Sequence, residues 1–251
     1  MYKCVKSYVF INGEKSRSFA CSLVIRQGEC LSPFMFAMYI NDLKMSLADN
    51  ANGITVDDLK VFLILYADDA VIVSDTPEGL QSEIDILFEY CRKWKLVINR
   101  DKSGIVVFGR RKFNPVYKWY YDGNELKVMD KIKYLGLNII NNGNFNQTQI
   151  TLSEQARKAL FCLYKRLSDF KYLQPFEVIE LFDKCISPIL NYACEIWGFH
   201  PAMNIERVHL SFCKKLLFVK QSTQNNFVYG ILGRFPMYVM RHVRIIKYWL
   251  K

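Results

Sequence analysis

Apolar residues follow two different repeats along the chain, and the repeat changes near residue 145. Before that point, short apolar runs lie between turn-forming residues, a pattern typical of short strands. After it, apolar residues recur every three to four positions, a pattern typical of helices. We therefore predict an α+β unit in residues 1–145 and an all-α unit in residues 146–251.

Turn-forming residues mark the hairpins of the first unit. Asn12-Gly13 and Asp122-Gly123 have the composition of two-residue hairpin turns. Tyr66-Ala67-Asp68-Asp69 separates two apolar runs and predicts a hairpin with an acidic turn. Further strands are expected at residues 96–99, 105–108 and 132–140.

Helices are predicted from capping residues and from the spacing of apolar positions. Ser32-Pro33 has the composition of a helix start, with Ser32 as the N-cap. Residues 34–40 are all apolar, so we expect this helix to be buried on every side. Pro77 begins a helix with one apolar face, which should pack on the sheet. In the second unit, helices are expected near residues 148–169, 175–199, 203–220 and 235–250.

Positive charge is concentrated in the second unit. The 251-residue chain has a formal net charge of +10. Residues 1–150 carry 19 basic and 17 acidic side chains, whereas residues 151–251 carry 15 and 7. This asymmetry favours a polyanionic partner for the helical unit, although ordinary solvated helix faces give a similar composition.

The N-terminal residues and the length of the apolar runs bear on location. Residues 1–15 contain three lysines and lack the apolar core of a secretory signal peptide. The apolar run at residues 61–67 is too short to cross a bilayer. We expect an intracellular protein, nuclear if it is functional, with reduced cysteines and no membrane partner.

The acidic turn is the first candidate for chemistry. Asp68 and Asp69 are adjacent between two apolar strands, where a buried carboxylate pair is costly unless a cation neutralises it. Hard divalent cations such as Mg²⁺ prefer carboxylate oxygens. Aspartates are also common in solvated turns, so a metal site and a solvated turn both remain open on the turn alone.

Several segments resemble the motifs of reverse transcriptases, in the family's order and spacing. The similarity is to the reverse transcriptases of LINE-type, non-LTR retrotransposons, and it covers nearly the whole chain. The segments are RQGECLSP (26–33) with YINDL (39–43), YADD (66–69), LVINRDKS (96–103), YLG (134–136), NYACEIWG (191–198) and LGRFP (232–236).

The resemblance implies a partial polymerase palm in residues 1–145, an antiparallel sheet with packed helices, followed by a thumb-like helical region in residues 146–251. It implies RNA-directed DNA polymerase activity, in which nucleotides are transferred to a primer 3′ end by a two-metal mechanism. The implied partners are an RNA template, a DNA primer and dNTPs, with Mg²⁺ or Mn²⁺ as cofactor. Asp68 and Asp69 would be the metal ligands, and Tyr66 would lie near the primer terminus or simply pack on the strand.

Other residues receive roles from the resemblance alone. Arg26, Gln27 and Gly28 would lie along the incoming nucleotide and the template, and Lys102 would lie near the leaving pyrophosphate. An ion pair of Arg26 with an acid and a solvated turn around Lys102 are equally good interpretations. The YLG segment occupies the position of the family's primer-gripping hairpin.

Four basic residues of the helical unit are candidates for contacts with a nucleic-acid backbone. They are Lys165, Arg166, Lys214 and Lys215. Phosphate contacts of this kind supply affinity without sequence information.

The chain departs from the family in two respects. The family's palm has a further aspartate on a strand before the RQG segment, but residues 1–24 contain no aspartate, and no segment corresponds to the fingers. Val24 occupies a position where the family usually has glycine. We therefore expect a fragment that is inactive alone, and whether the chain is an enzyme stays open.

Two other functions compete with a polymerase fragment. The first is a non-catalytic remnant that holds RNA or an RNA–DNA hybrid through its basic helices; its affinity would depend on salt but not on Mg²⁺. The second is an unrelated two-metal phosphotransferase, which would need a further carboxylate such as Asp42 or Asp101.

Overall fold

The computed structural model describes residues 5–21, 30–48, 51–109, 117–167 and 173–250. Its contacts divide the chain into two compact units, one formed by Met1–Ser103 with Pro115–Lys127 and the other by Gly104–Asn114 with Val128–Lys251. The β-hairpin around residue 136 thus belongs to the same unit as the helices, rather than to the unit before residue 145. The assignment of palm and thumb stays a prediction.

The strands form small antiparallel sheets. Within the described residues each sheet has two strands. In the first unit the strands are β1 (Val5–Ser7), β2 (Phe10–Ile11), β3 (Glu14–Lys15), β4 (Phe19–Cys21), β5 (Ile54–Val56), β6 (Leu59–Val61), β7 (Leu63–Tyr66), β8 (Asp69–Ile72), β9 (Tyr120–Tyr121) and β10 (Asn124–Glu125). The pairs are β1–β4, β2–β3, β5–β6, β7–β8 and β9–β10.

The hairpins predicted from turn residues are confirmed. Asn12-Gly13 joins β2 to β3, and Asp122-Gly123 joins β9 to β10. The strands predicted at residues 96–99 and 105–108 are not observed. A strand requires hydrogen bonds to a partner strand, and neither segment forms such a ladder. Ile105 forms an isolated bridge to Val128, and residues 96–99 lie outside any strand.

The first unit contains three helices among its described residues: α1 (Ser32–Tyr39), α2 (Leu43–Ala48) and α3 (Pro77–Trp94). The helix predicted to begin at Pro77 is confirmed, and Thr76 is its N-cap, with Oγ1 accepting a hydrogen bond from Gly79 N at 3.1 Å. A small core joins α2 and α3 through Leu43, Leu47 and Tyr90, and Leu63 and Ile72 of the β7–β8 hairpin pack against it. The expected packing of this helix on strands is therefore confirmed for this hairpin.

Two expectations for α1 are wrong. Ser32 is its first helical residue rather than its cap, and Leu31 precedes it without a side-chain capping bond. Phe34 and Met38 are each at least 60% exposed, so the helix is not buried on every side among the described residues. An all-apolar sequence indicates which faces can be buried, but not whether another element covers them.

The second unit is mainly helical. It contains a hairpin formed by β11 (Lys131–Tyr134) and β12 (Leu137–Ile140), where the apolar pattern predicted one strand over 132–140. Its helices are α4 (Asn146–Leu167), α5 (Pro175–Cys185), α6 (Ser187–Leu190), α7 (Cys194–Trp197), α8 (Met203–Leu216), α9 (Asn225–Leu232) and α10 (Met237–Trp249).

The long helix predicted over residues 175–199 is interrupted twice. Pro188 lies in the first turn of a new short helix, α6, because proline has no N–H with which to continue the preceding helix. Ala193 has a φ of 50°, which ends the helical path before α7 begins. The sequence also missed α9.

The core of the second unit is formed by buried side chains from β12 and from helices α4 to α10. Phe182 and Phe212 are fully buried, and their rings stack with centroids 4.1 Å apart. Trp197 and Ile205 extend the same cluster. Across the described ranges, no helix combines the length and apolar character needed to cross a membrane.

Candidate active site and nucleic-acid interface

The acidic turn lies at the tip of the β7–β8 hairpin. The strands pair in the register Leu63 with Ile72 and Tyr66 with Asp69, so Ala67 and Asp68 form the turn. Ala67 has a φ of 51°, a conformation that most side chains disfavour. The turn therefore places Asp68 at the apex and Asp69 at the first position of the returning strand.

The side chains of this tip lie in solvent. Asp68 and Asp69 are both exposed, and Tyr66, which pairs with Asp69 across the hairpin, is 61% exposed. Because water solvates both exposed carboxylates, the pair needs no cation to be stable. This is the environment expected of a solvated turn. It also leaves both carboxylates accessible to a cation.

The metal implied by the resemblance can be tested against these donors. Asp68 and Asp69 supply oxygen ligands of the type that Mg²⁺ and Mn²⁺ prefer. Within the described part of the chain, no group of three or more His, Cys, Asp or Glu side chains is placed to hold a metal ion. The two carboxylates of the tip are therefore suitable in type for a divalent cation, but by themselves they do not fit a complete two-metal clamp.

Of the other site residues predicted in the first unit, Lys102 lies within the described residues and three lie outside them. Lys102 is exposed in the turn at residues 99–103, where its backbone N–H donates to Asn99 O at 3.2 Å. The Asn99 side chain also accepts from the backbone N–H of Asp101 at 3.1 Å, so it shapes this turn. Arg26, Gln27 and Gly28 lie outside the described residues.

The basic candidates of the second unit have different environments. Lys165 and Arg166 are exposed in the last turn of α4. Lys215 is exposed on α8, and its Nζ lies 3.7 Å from the ring centroid of Tyr164. Lys214 is only 4% exposed, and its Nζ donates to the backbone carbonyl of Gln221 at 2.6 Å. Lys214 therefore serves an internal contact, and we do not include it in the candidate interface.

The α4 surface contains basic residues that the sequence interpretation missed. Arg157 and Lys158 are exposed on the same helix as Lys165 and Arg166. Phe161 lies between these pairs and is 71% exposed. Lys158 and Lys165 are seven residues apart, a spacing that places them on one side of the helix and could have identified Lys158 from the sequence. Arg157 and Arg166 lie on either side of this pair around the helix. We refer to Arg157, Lys158, Lys165, Arg166 and Lys215 as the basic helical surface.

Residues 1–139 match the family model described as "Reverse transcriptase (RNA-dependent DNA polymerase)". This match covers more than half of the chain, including the acidic turn. The chain belongs to the reverse transcriptase family. The resemblance seen in the sequence motifs is thereby confirmed.

Three proteins similar to this reverse transcriptase chain have names that refer to transposable elements. It is 22% identical over 200 residues to a probable RNA-directed DNA polymerase from transposon BS of Drosophila melanogaster, an alignment covering 74% of the chain and 21% of that protein. It is 23% identical over 190 residues to a probable RNA-directed DNA polymerase from transposon X-element of the same organism, covering 73% and 20%. A Pol polyprotein from the type-2 retrotransposable element R2DM, also from Drosophila melanogaster, is 29% identical over 140 residues, covering 53% of the chain and 13% of that protein.

The chain thus spans about a fifth of the length of the first two relatives. Their names agree with the LINE-type resemblance of the motifs. Because these relatives are several times longer than the chain, similarity does not transfer the activity of the whole protein to it.

Proposed function

We propose that the chain is part of the nucleotidyl-transfer region of an RNA-directed DNA polymerase. The observation that carries the proposal is the exposed Asp68-Asp69 tip of the β7–β8 hairpin, which lies inside the segment that matches the reverse transcriptase family. The substrates would be dNTPs and a DNA primer paired to an RNA template.

Mg²⁺ is the proposed cofactor, with Mn²⁺ as a substitute. A divalent ion at such a site would neutralise charge on the reacting phosphate oxygens. Asp68 and Asp69 would provide two of its ligands. Because the described residues offer no third acidic or histidine group beside them, we propose that this chain does not form the complete site. It would then be inactive alone.

The nucleic acid would be held by the basic helical surface. Arg157, Lys158, Lys165, Arg166 and Lys215 are exposed. Residues 151–251 carry 15 basic and only 7 acidic side chains. Such a surface binds phosphates without reading sequence, so its affinity should fall steeply with salt.

Primer extension tests the activity directly. Purified 251-residue chain is incubated with a primed RNA template, dNTPs and Mg²⁺ or Mn²⁺. We expect no template-directed incorporation. Incorporation that requires the template and is abolished by Asp68→Asn would contradict inactivity of the isolated chain and would establish a working site.

A second candidate function is a binding module without catalysis. The incomplete ligand set at the acidic tip favours it. Fluorescence anisotropy with a labelled RNA–DNA hybrid separates the two, because a pure binding module would show the same affinity with Mg²⁺ or EDTA at matched ionic strength. Its affinity would also be unchanged in Asp68→Asn. A Mg²⁺-dependent gain in affinity that Asp68→Asn removes would favour the polymerase fragment.

A further inference from the structure

The tip of the β11–β12 hairpin is held by a residue far away in the sequence. The hydroxyl of Tyr192 donates a hydrogen bond to the backbone carbonyl of Leu135 at 2.8 Å. Leu135 and Gly136 form the turn, with φ of 45° and 81°. A Cβ added at Gly136 would lie 3.2 Å from Cε1 of Tyr192, so the tyrosine ring packs directly on the turn.

Tyr192 is itself fixed by its neighbours. Its backbone carbonyl accepts a hydrogen bond at 2.7 Å from Nε1 of Trp197, which is fully buried. Asn191, the preceding residue, is also buried, and its Nδ2 donates to the carbonyl of Ser187 at 3.0 Å. Tyr192, whose ring contacts the turn, is therefore anchored to the core of the helical unit through Trp197.

A second anchor holds the hairpin one residue pair away from the tip, where Asn138 lies opposite Lys133. Asn138 on β12 donates from its backbone N–H to Thr148 Oγ1 at 3.1 Å and accepts from the same hydroxyl at 2.9 Å. Its Nδ2 also donates to Thr151 Oγ1 at 3.1 Å. An isolated two-stranded hairpin is only marginally stable in water, so these anchors give it one conformation while much of it stays exposed.

The exposed face of the hairpin is suited to a polyanion. Lys131 and Lys133 alternate along β11, and both side chains are exposed. Leu135 at the tip is also exposed. The neighbouring carboxylate of Asp130 accepts a hydrogen bond from Asn141 Nδ2 at 3.0 Å. Two lysines beside a rigid turn can meet successive phosphates of one strand.

We propose that Tyr192 is a positioning residue that fixes the β11–β12 tip for contact with the backbone of a nucleic-acid strand. The inference rests on the proposed function, since it takes an RNA–DNA hybrid as the ligand. A tip that is already ordered loses less conformational freedom on binding, so the tyrosine raises affinity without touching the ligand.

The first experiment compares two tyrosines of equal exposure. Tyr192→Phe keeps the ring but removes the hydroxyl, and Tyr238→Phe makes the same change at a residue that is also 47% exposed. Affinity of the full 251-residue chain for a labelled RNA–DNA hybrid is measured by fluorescence anisotropy. We expect Tyr192→Phe to weaken binding about three- to tenfold and Tyr238→Phe to leave it unchanged. Hydrogen exchange of the peptide covering residues 131–140 should accelerate only in Tyr192→Phe.

A glycine pair provides the second test. Gly136→Ala and Gly143→Ala both place a methyl group at a positive φ, 81° and 71°, but only the methyl at position 136 meets Tyr192. The backbone strain is common to both variants, so the difference between them measures the contact with Tyr192. We expect Gly136→Ala to weaken hybrid binding more than Gly143→Ala.

Three results would overturn the inference about Tyr192, and each can be distinguished from a result that contradicts the proposed function. Equal affinities of wild type and Tyr192→Phe would remove the positioning role. So would equal losses in Tyr192→Phe and Tyr238→Phe, or an unchanged affinity in the Lys131→Gln/Lys133→Gln double variant. A wild-type chain that binds no hybrid would instead contradict the proposed function; faster exchange at residues 131–140 in Tyr192→Phe would still report the tip contact in that case.

Discussion

Arg234 binds both carboxylate oxygens of Asp183, with N–O distances of 2.6 and 2.9 Å. The pair joins the turn between α9 and α10 to the last turn of α5, across 51 residues of sequence. Arg234 Nε also donates to His209 Nε2 on α8 at 3.1 Å. One guanidinium thus connects three segments of the helical unit, and it lies in the LGRFP segment that resembles the family.

Arg234→Lys should destabilise the fold although the charge is kept. Lysine cannot reproduce the two parallel hydrogen bonds or the bond to His209, so we expect a loss of about 1–2 kcal/mol in the free energy of unfolding. Urea denaturation at pH 7 measures it. The control is Lys184→Gln on α5, which removes an exposed ion pair with Glu180 (2.6 Å) and should cost much less than Arg234→Lys, because solvent screens exposed pairs. Equal losses in the two variants would show that the paired geometry of Arg234 contributes nothing special.

His209 should make the fold less stable in acid. Burial, and next the charge of Arg234, lower its pKa from 6.5 to about 4. Its Nε2 accepts from Arg234, so adding a proton there would also break that bond. Below pH 6.5 the unfolded chain binds a proton that the folded chain does not take up until about pH 4. The free energy of unfolding is therefore not reduced by this group above pH 6.5. As the pH falls from 6.5 to about 4, protonation of the unfolded chain lowers it by up to about 3 kcal/mol.

The matched variant for this pH dependence is His209→Gln, which keeps an acceptor near Arg234 but does not titrate. The free energy of unfolding is measured from pH 7 to pH 4 in both proteins. The other ionisable residues are the same in both proteins, so the difference between the two curves isolates the histidine. Parallel curves over the whole range would contradict the assignment.

Hairpins with strong turn signals were predictable, because their turns depend on two or three adjacent residues. Asn12-Gly13, Asp122-Gly123 and the acidic turn all lie where the sequence placed them. The apolar pattern predicted one strand across Leu135-Gly136, although the resemblance to the family placed a hairpin there. Leu135 is not a usual turn former, and the hydrogen bond to its carbonyl comes from Tyr192. That contact is separated by 57 residues and leaves no local signal.

Burial was the least predictable property. The all-apolar α1 has a largely exposed face, whereas Lys214 is almost completely buried. Both outcomes depend on which element packs nearby, and periodicity does not encode that. The candidate site shows the same limit, since Asp68 and Asp69 were identified from type and spacing, but their exposure was not.

Ala67→Gly should stabilise the acidic hairpin. At a φ of 51° the Cβ of Ala67 crowds the backbone, at a cost of about 1–2 kcal/mol. Glycine removes this cost but increases the freedom of the unfolded chain, so we expect a net gain of about 0.5–1 kcal/mol. Ala70→Gly on β8 is the control, because the same change in a strand should destabilise by about 0.5–1 kcal/mol. Thermal unfolding and hydrogen exchange of residues 63–72 report both effects, and a loss in Ala67→Gly would contradict the strain.

Lys214 and Lys215 are adjacent, but their substitution should have opposite consequences. Lys214 donates internally to Gln221, so Lys214→Met should lower the free energy of unfolding by about 1–2 kcal/mol and leave the salt dependence of hybrid binding unchanged. Lys215 is exposed over Tyr164, so Lys215→Met should change stability by about 0.5–1 kcal/mol at most. If Lys215 contacts a phosphate, its loss should weaken hybrid binding and reduce the slope of log K against log salt by about 1. Urea denaturation and salt-dependent anisotropy on both variants separate the two roles, and a smaller salt slope for Lys214→Met than for Lys215→Met would reverse the assignment.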